Sequence, residues 1–321
     1  MKQRRIGPLT VSEIGLGCMN VSWANRSGTD PTRRAEIAIP GIHAALDAGI
    51  TLLDTADIYA PTWDSVGHNE ILVAEAVESW SGTADQKSQL VIATKGGITR
   101  RDGEKWGRDG SLDYLVRAAE ASRQRLGVDT IALYQHHRLD PDTPLETQIE
   151  NLGALKAHGV IANIGVSNYA RQHLEVALDI LGGPEDGGVV SVQNEFSPFY
   201  RHDADVLALC EERGIAFLPW SPLGGSKKVE QIVRGEFPVL STMAATKGIT
   251  VPRLVVAWLL HVSPVMVPLP GATRPESVAD SAAATDVSLT ADEVAEITAS
   301  LPPSEPRRAE LDPVPPRRER E

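Results

Sequence analysis

Four residue types in this sequence are spaced for proton transfer. The apolar run 50–54 (ITLLD) ends in Asp54, and a phenol, Tyr59, follows five residues later. A second run, 90–95 (LVIATK), ends in Lys95; a third, 131–136 (IALYQH), ends in His136, with His137 beside it. A free tyrosine ionises near 10, too high to exchange protons readily at neutral pH. A neighbouring ammonium favours the phenolate and is expected to lower that value. A carboxylate can hold the ammonium charged and in place, and an imidazole can orient a substrate oxygen. Together they describe a general acid that protonates an oxygen gaining negative charge, such as a carbonyl oxygen under hydride attack.

Each residue also has a plain structural reading. Asp54 can cap a turn, Lys95 before Gly96-Gly97 can sit in a solvated turn, and either histidine can be a satisfied core imidazole. Alternation along a strand puts His136 and His137 on opposite faces, so at most one of them reaches a shared pocket. The joint reading gains weight because an acid and a lysine buried without each other are costly. Other run ends add Ser167 and Asn168, Gln193 and Glu195, and Trp220 and Ser221. Ser167, Asn168 and Gln193 offer hydroxyl and amide groups suited to a carboxamide, and Trp220 offers a flat face.

Such a convergence needs a scaffold that delivers strand ends to one place. Eight Val/Ile/Leu-rich runs, at 13–16, 50–54, 90–95, 131–136, 161–167, 189–195, 215–220 and 265–270, alternate with stretches of helical periodicity. Continuous apolar runs suit parallel strands covered on both faces. Helical stretches that stop at Gly49, Gly127, Gly159 and Gly214 fit the left-handed cap. Strand–helix alternation repeated eight times predicts a closed α/β architecture, the (β/α)8 TIM barrel, whose active site lies at the C-terminal ends of its strands. The rival is an open doubly wound sheet. It needs G-x-G-x-x-G after the first strand, and Gly15-Leu16-Gly17-Cys18-Met19-Asn20 lacks the third glycine. Before the first strand, QRRIGPLTVSEI reads as a short β-hairpin turning at Gly7-Pro8 and closing the barrel floor. Residues 1–301 are thus read as one barrel. Residues 302–321, rich in proline and charge, are read as a C-terminal extension, extended or disordered.

Composition narrows the function classes. The 321 residues carry a formal charge of −12, which disfavours nucleic acid as a partner because phosphates are repelled. No apolar run approaches the ~18 residues of a membrane helix, and the N-terminus has no signal-peptide core. The two cysteines, Cys18 and Cys210, lie far apart without metal-ligand spacing. A cytoplasmic protein with reduced thiols and no metal site is expected. The sequence carries no signal for oligomeric state.

Taken in order, DTADIY, ATKGG, LYQHHR, IGVSN, VQNEFSPFYR and PWSPLGG resemble the aldo-keto reductases, and the likeness runs from about residue 6 to 301. The resemblance implies a (β/α)8 barrel that binds NADPH in an extended pose and reduces an aldehyde or ketone to an alcohol. Asp54, Tyr59, Lys95 and His137 fall on the family's catalytic tetrad, with Tyr59 as proton donor. Ser167, Asn168 and Gln193 match positions that hold the nicotinamide carboxamide, and Trp220 matches the aromatic residue stacked on its ring. Ser221, Leu223 and Gly224 match the pyrophosphate loop. The segment PLPGATRPESVADSAAA is similar to the adenosine 2′-phosphate segment, which brings in Gly271, Thr273, Arg274, Ser277 and Ser281. Ser277 and Ser281 stand where relatives often carry Arg or Gln and Asn, so NADH stays open as an alternative cofactor. The stretch between Gly225 and the helix at 252 is short, which is expected to leave the cofactor less covered. Trp23 and Trp106 fall in loops that line the pocket for the small carbonyl substrate in relatives, and the loop after Tyr59, longer than the common version, puts Trp63 near the mouth of that pocket. A second reading is a redox-sensing regulatory subunit that binds cofactor and turns over slowly. A third, a barrel glycosidase, has only Asp54 and Glu195 as carboxylates at the mouth.

Overall fold

The computed structural model of the protein describes residues 1–22 and 34–307. The chain begins with a hairpin, β1 (Gln3–Ile6) against β2 (Leu9–Ser12), turning at Gly7-Pro8 as expected. Seven parallel strands follow in one curled sheet, in the order β11-β10-β9-β8-β5-β4-β3. They are β3 (Leu16–Gly17), β4 (Leu52–Asp54), β5 (Val91–Gly96), β8 (Leu133–His136), β9 (Ile164–Ser167), β10 (Val189–Gln193) and β11 (Ala216–Phe217). A separate hairpin, β6 (Ile98–Arg101) and β7 (Lys105–Arg108), stands on the mouth side after β5.

The eighth wall of the barrel is the extended segment 265–270. It bonds to one sheet edge through Phe217 N–H to Val265 O (2.8 Å) and Leu269 N–H to Pro219 O (3.1 Å). It bonds to the other edge through Gly15 N–H to Pro268 O (2.9 Å) and Gly17 N–H to Pro270 O (3.1 Å). On the first edge the pairing consists of single bridges, Phe217 with Met266 and Trp220 with Leu269. On the second edge Pro268 and Pro270 accept but have no N–H to return, and the sheet still closes. The close approach also explains two glycines. A Cβ at Gly15 would lie 2.7 Å from Leu269 Cδ2, and one at Gly17 would lie 3.0 Å from Leu269 O. These glycines serve closure of the (β/α)8 barrel, not a dinucleotide turn.

Alternation along the strands divides the apolar residues into two clusters. Leu52, Ala93, Leu133, Val190, Leu218 and Val267 point inward and meet Ile6 and Val11 of the N-terminal hairpin, which plugs the floor. The larger cluster lies between the sheet and the surrounding helices. Those helices are α1 (Met19–Ser22), α2 (Arg34–Asp47), α3 (His68–Ser79), α4 (Ala84–Ser88), α5 (Leu112–Leu126), α6 (Leu145–Ala157), α7 (Arg171–Leu181), α8 (Ala204–Arg213), α9 (Ser226–Val233), α10 (Pro238–Lys247), α11 (Val251–Val262), α12 (Pro275–Ala282) and α13 (Ala291–Ser300). Helix α5 shows how the sequence sets such an element. Ser111 caps its start by accepting from Tyr114 N–H; Leu115, Ala119, Ser122 and Leu126 form the buried stripe; Gly127 ends it at φ 66°. Among the described residues no single helix is long and apolar enough to cross a bilayer.

Three features depart from the sequence expectations. The short stretch after Gly225, for which no element was expected, folds into two helices, α9 and α10. The loop after Tyr59 is stitched to the β6–β7 hairpin, because the nearly buried Arg100 guanidinium donates to Ala60 O (2.7 Å), Pro61 O (3.1 Å) and Glu104 Oε2 (2.6 Å). Glu104 Oε1 in turn accepts from Trp63 N–H (3.0 Å). Finally, residues 302–307 of the extension pack on the barrel; 308–321 lie outside the described residues.

Candidate active site

The end of β4 carries Asp54 and the end of β5 carries Lys95, adjacent strands that pair in parallel. The Lys95 ammonium is fully buried and donates to Asp54 Oδ2 (2.6 Å), Thr55 O (2.7 Å) and Tyr59 Oη (3.4 Å). All three of its donors are used. Since Lys95 occupies a lone pair of the phenol oxygen, the phenol hydrogen is left for a group in the cavity. Asp54 Oδ1 accepts from Gln135 Nε2 (2.9 Å) and Gln193 Nε2 (2.8 Å). Both Asp54 oxygens are thus engaged in holding Lys95 and the two amides, which commits the carboxylate to that support and not to glycosidase chemistry.

His137 follows β8, and its N–H donates to Gly96 O (2.9 Å), extending the strand pairing by one residue. Its ring lies edge-on to Tyr59 with centroids 5.7 Å apart. Its Nδ1 is buried and makes no hydrogen bond among the described residues. His136 points the other way, into the shell between sheet and helices, and bonds Tyr169 Oη (2.9 Å). The alternation argument thus separates the two imidazoles correctly.

The electrostatics correct one expectation. Desolvation raises the Tyr59 pKa more than the Lys95 ammonium lowers it, so the phenol lies above its ordinary value. Burial also works against the Lys95 ammonium, but Asp54 and Tyr59 outweigh it, and its pKa is raised. His137 is pushed well below the usual imidazole range by desolvation and by the cations Lys95 and Arg138. At neutral pH the mouth therefore holds a protonated phenol, a charged lysine and a neutral imidazole.

A cavity of about 780 Å³ starts at Asp54, Tyr59 and His137 and runs across the barrel mouth. Ser167, Asn168, Gln193 and Trp220 form its next stretch, and Ser221 and Leu223 continue it. Gly271, Arg274, Ser277 and Ser281 line the far end, and Val229 and Val233 of α9 cover part of the side. Asn168 takes a left-handed backbone, φ 62°. Its amide donates to Ser167 Oγ (2.8 Å) and His137 O (3.2 Å), and its Oδ1 accepts from Trp220 Nε1 (3.1 Å). Gln193 likewise turns its amide nitrogen inward to Asp54.

Several expected residues sit off the cavity wall. Gly224 forms the turn beneath it, donating to Ser221 O (2.7 Å). Thr273 packs its carbonyl against Gly41, where a Cβ would come within 2.2 Å. Trp63 and Trp106 stand on the outer rim, exposed, because the Arg100 clamp draws the loop outward; Arg100 lies 4.8 Å over the Trp106 ring. Trp23 lies outside the described residues. Sequence reasoning missed Gln135, although alternation puts Gln135 on the same face as His137, the histidine that the resemblance assigned to the site. It missed Val229 and Val233 because no helix was expected there.

A closed barrel with an acid, a lysine, a phenol and an imidazole at one mouth is built for oxidoreduction of carbonyl compounds. The chain belongs to the aldo/keto reductase family, which it matches over residues 13–302. It is 30% identical over 298 residues to an uncharacterised oxidoreductase of Schizosaccharomyces pombe, spanning 91% of this chain and 88% of that protein. Among solved structures it resembles an aldo/keto reductase from Klebsiella pneumoniae in complex with NADP and acetate. That match has a TM-score of 0.75 and 26% identity, covering 98% of this chain and 99% of the other. A Klebsiella pneumoniae aldo-keto reductase in complex with NADPH matches with a TM-score of 0.72 and 27% identity, over 96% of each chain.

Proposed function

We propose that this protein reduces an aldehyde or ketone to an alcohol with NADPH, with Tyr59 as general acid. The observation that carries the reading is the Lys95 ammonium held between Asp54 and Tyr59 Oη at the cavity wall. The groove suits an extended dinucleotide: it is long, of the size of cofactor sites, and ends at the first turn of α12. That turn exposes backbone N–H groups beside the Arg274 side chain, a setting for a phosphate. Ser167, Asn168, Gln193 and Trp220 would hold the nicotinamide, and the NADP and NADPH complexes of the Klebsiella relatives support the assignment. The bound reduced nicotinamide supplies the hydride.

The chain's own residues handle the proton. His137, neutral, is placed to hold the carbonyl oxygen near Tyr59 Oη. As negative charge gathers on that oxygen, Tyr59 gives up its hydrogen, and Lys95 stabilises the phenolate left behind. Asp54, fixed by Gln135 and Gln193, keeps Lys95 aimed. A raised Tyr59 pKa favours this direction, because the acid stays protonated at neutral pH. Reduction is expected to hold level from neutral pH and fall only on the alkaline side, above the ordinary tyrosine value. The buried Cys18 and Cys210 thiols fit a cytoplasmic setting.

Oxidation of NADPH and NADH over a panel of carbonyl compounds tests the reading, with Tyr59→Phe as control. The variant is expected to bind NADPH and lose roughly 10²–10⁴-fold in rate, the usual worth of a positioned acid. Full activity in Tyr59→Phe would remove the proposed acid.

A further inference from the structure

The segment 302–307 (PPSEPR) has almost nothing to bury, yet Pro302, Ser304, Glu305 and Arg307 are each fastened, to the loops after β9 and β10 and to α9. Arg201 donates its guanidinium to Pro302 O and its N–H to Ser304 Oγ (2.8 Å). Glu305 N–H donates to Phe199 O (2.9 Å), and the Glu305 carboxylate pairs with Lys228 of α9, whose ammonium lies 4.8 Å over the Phe199 ring. Arg307 makes the last attachment. It forms an ion pair with the buried Asp203, and its Nη2 donates to Asn168 O (2.7 Å).

Those anchor points are not arbitrary. Asn168 is the left-handed residue whose side chain holds Trp220 and lines the reactive half of the cavity. A non-glycine residue with this backbone needs its surroundings to fix it. Arg307 grips the carbonyl of that residue from outside the cavity. Asp203, which also accepts from Asn194 Nδ2 (2.8 Å), locks the other side of the guanidinium. At the same time the Lys228–Glu305 pair ties down α9, the helix that presents Val229 and Val233 to the groove. A planar guanidinium can reach both acceptors at once, whereas an ammonium is a single point.

We propose that residues 302–307 form a strap beside the cofactor groove, bracing Asn168 and α9 from behind its wall, and that Arg307 is a positioning residue, setting Asn168 and through it Trp220 for cofactor binding. The role rests on the groove being the NADPH site. The strap acts on how tightly the cofactor is held and how fast it leaves, while proton transfer from Tyr59 is untouched by direct contact.

The test compares Arg307→Met, Arg307→Lys and Glu305→Gln in the full chain. The double variant Asp203→Asn/Arg307→Met is added because it leaves no unpaired buried carboxylate. Backbone hydrogen exchange without cofactor is read at 167–170 and over α9, and NADPH affinity and steady-state kinetics are read beside it. In Arg307→Met and the double variant, exchange at 167–170 is expected to quicken. The NADPH dissociation constant is expected to rise roughly tenfold, with the loss in KM for NADPH rather than in kcat. Arg307→Lys should recover only part, and Glu305→Gln should loosen α9 with a smaller loss of affinity. Folded variants with unchanged exchange and unchanged NADPH affinity would overturn the strap. A wild-type protein that does not bind NADPH would overturn the groove's assignment, and with it the part of Arg307 in the reaction, even where exchange quickens.

Discussion

The two ends of the groove are built on opposite terms. At the reactive end, the Lys95 ammonium is fully buried with three acceptors, and Asp54 is met by three donors from β5, β8 and β10. Asn168 is bonded through its side chain, its N–H and its carbonyl. At the far end, Arg274 is exposed and, among the described residues, makes one 3.3 Å contact, to Ser277 Oγ. Nearby, Asp280 is engaged by Arg253 (2.8 and 3.0 Å) and by Thr250. The difference matches the two tasks proposed for the groove. Chemistry needs groups whose orientation does not change when charge moves, so their bonds are satisfied in advance. Holding a phosphate needs donors that are still available. The first end ties stability to function, while the second can be altered without much cost to the fold.

Removing the acid breaks the comparison most sharply. Asp54→Asn leaves the Lys95 ammonium buried without its carboxylate, which is expected to destabilise the fold by about 3–5 kcal/mol, read by chemical denaturation. Activity should fall with it, even in the fraction that stays folded.

Acid titration probes the shell just behind the reactive end. Burial pushes the His136 pKa down to about 4, against about 6.5 unfolded. The unfolded chain therefore binds a proton that the folded chain refuses, and stability declines as pH falls from 6.5 to 4. This residue contributes roughly 3 kcal/mol to that decline, after which its effect levels off. His137 is shifted in the same direction by desolvation and by the Lys95 and Arg138 cations. Denaturation curves of wild type and His136→Asn between pH 7 and 4 should differ in slope over that window; parallel curves would contradict the assignment.

The far end should give the mildest phenotype. Arg274→Ala is expected to weaken NADPH binding by about 1.5–2 kcal/mol, on the order of tenfold or more, and less so at high salt. NADH affinity and the denaturation midpoint should stay near wild type. Equal losses for NADPH and NADH would show that Arg274 does not meet the 2′-phosphate.

How far the sequence could be read followed the same division. Strand ends were legible because each parallel strand is a short apolar run that stops at a polar residue. The acid, lysine, phenol and histidine could be singled out because their types make sense only together. The sign of the Tyr59 shift was not legible: a neighbouring cation is visible in a sequence, but the desolvation that outweighs it depends on the packed wall. The Asp102-Gly103 turn signal of the β6–β7 hairpin stands in the sequence but falls inside a loop of the barrel plan. The final wall was legible as a run, whereas the one-way bonding to Gly15 and Gly17 follows from the edge that Pro268 and Pro270 face. The strap was least legible, since PPSEPR has the composition of a free tail and its order comes from partners 77 to 139 residues away.

The stitching of Arg100 and Glu104 to the loop after Tyr59 bears on how such an enzyme can be re-engineered. Residues 60–65 and 98–108 form a single cassette, joined by a guanidinium that is only 5% exposed. A foreign loop grafted without its own hairpin would leave that cation with no carbonyls to grip. Diversifying the rim of this barrel means exchanging the two segments as a pair.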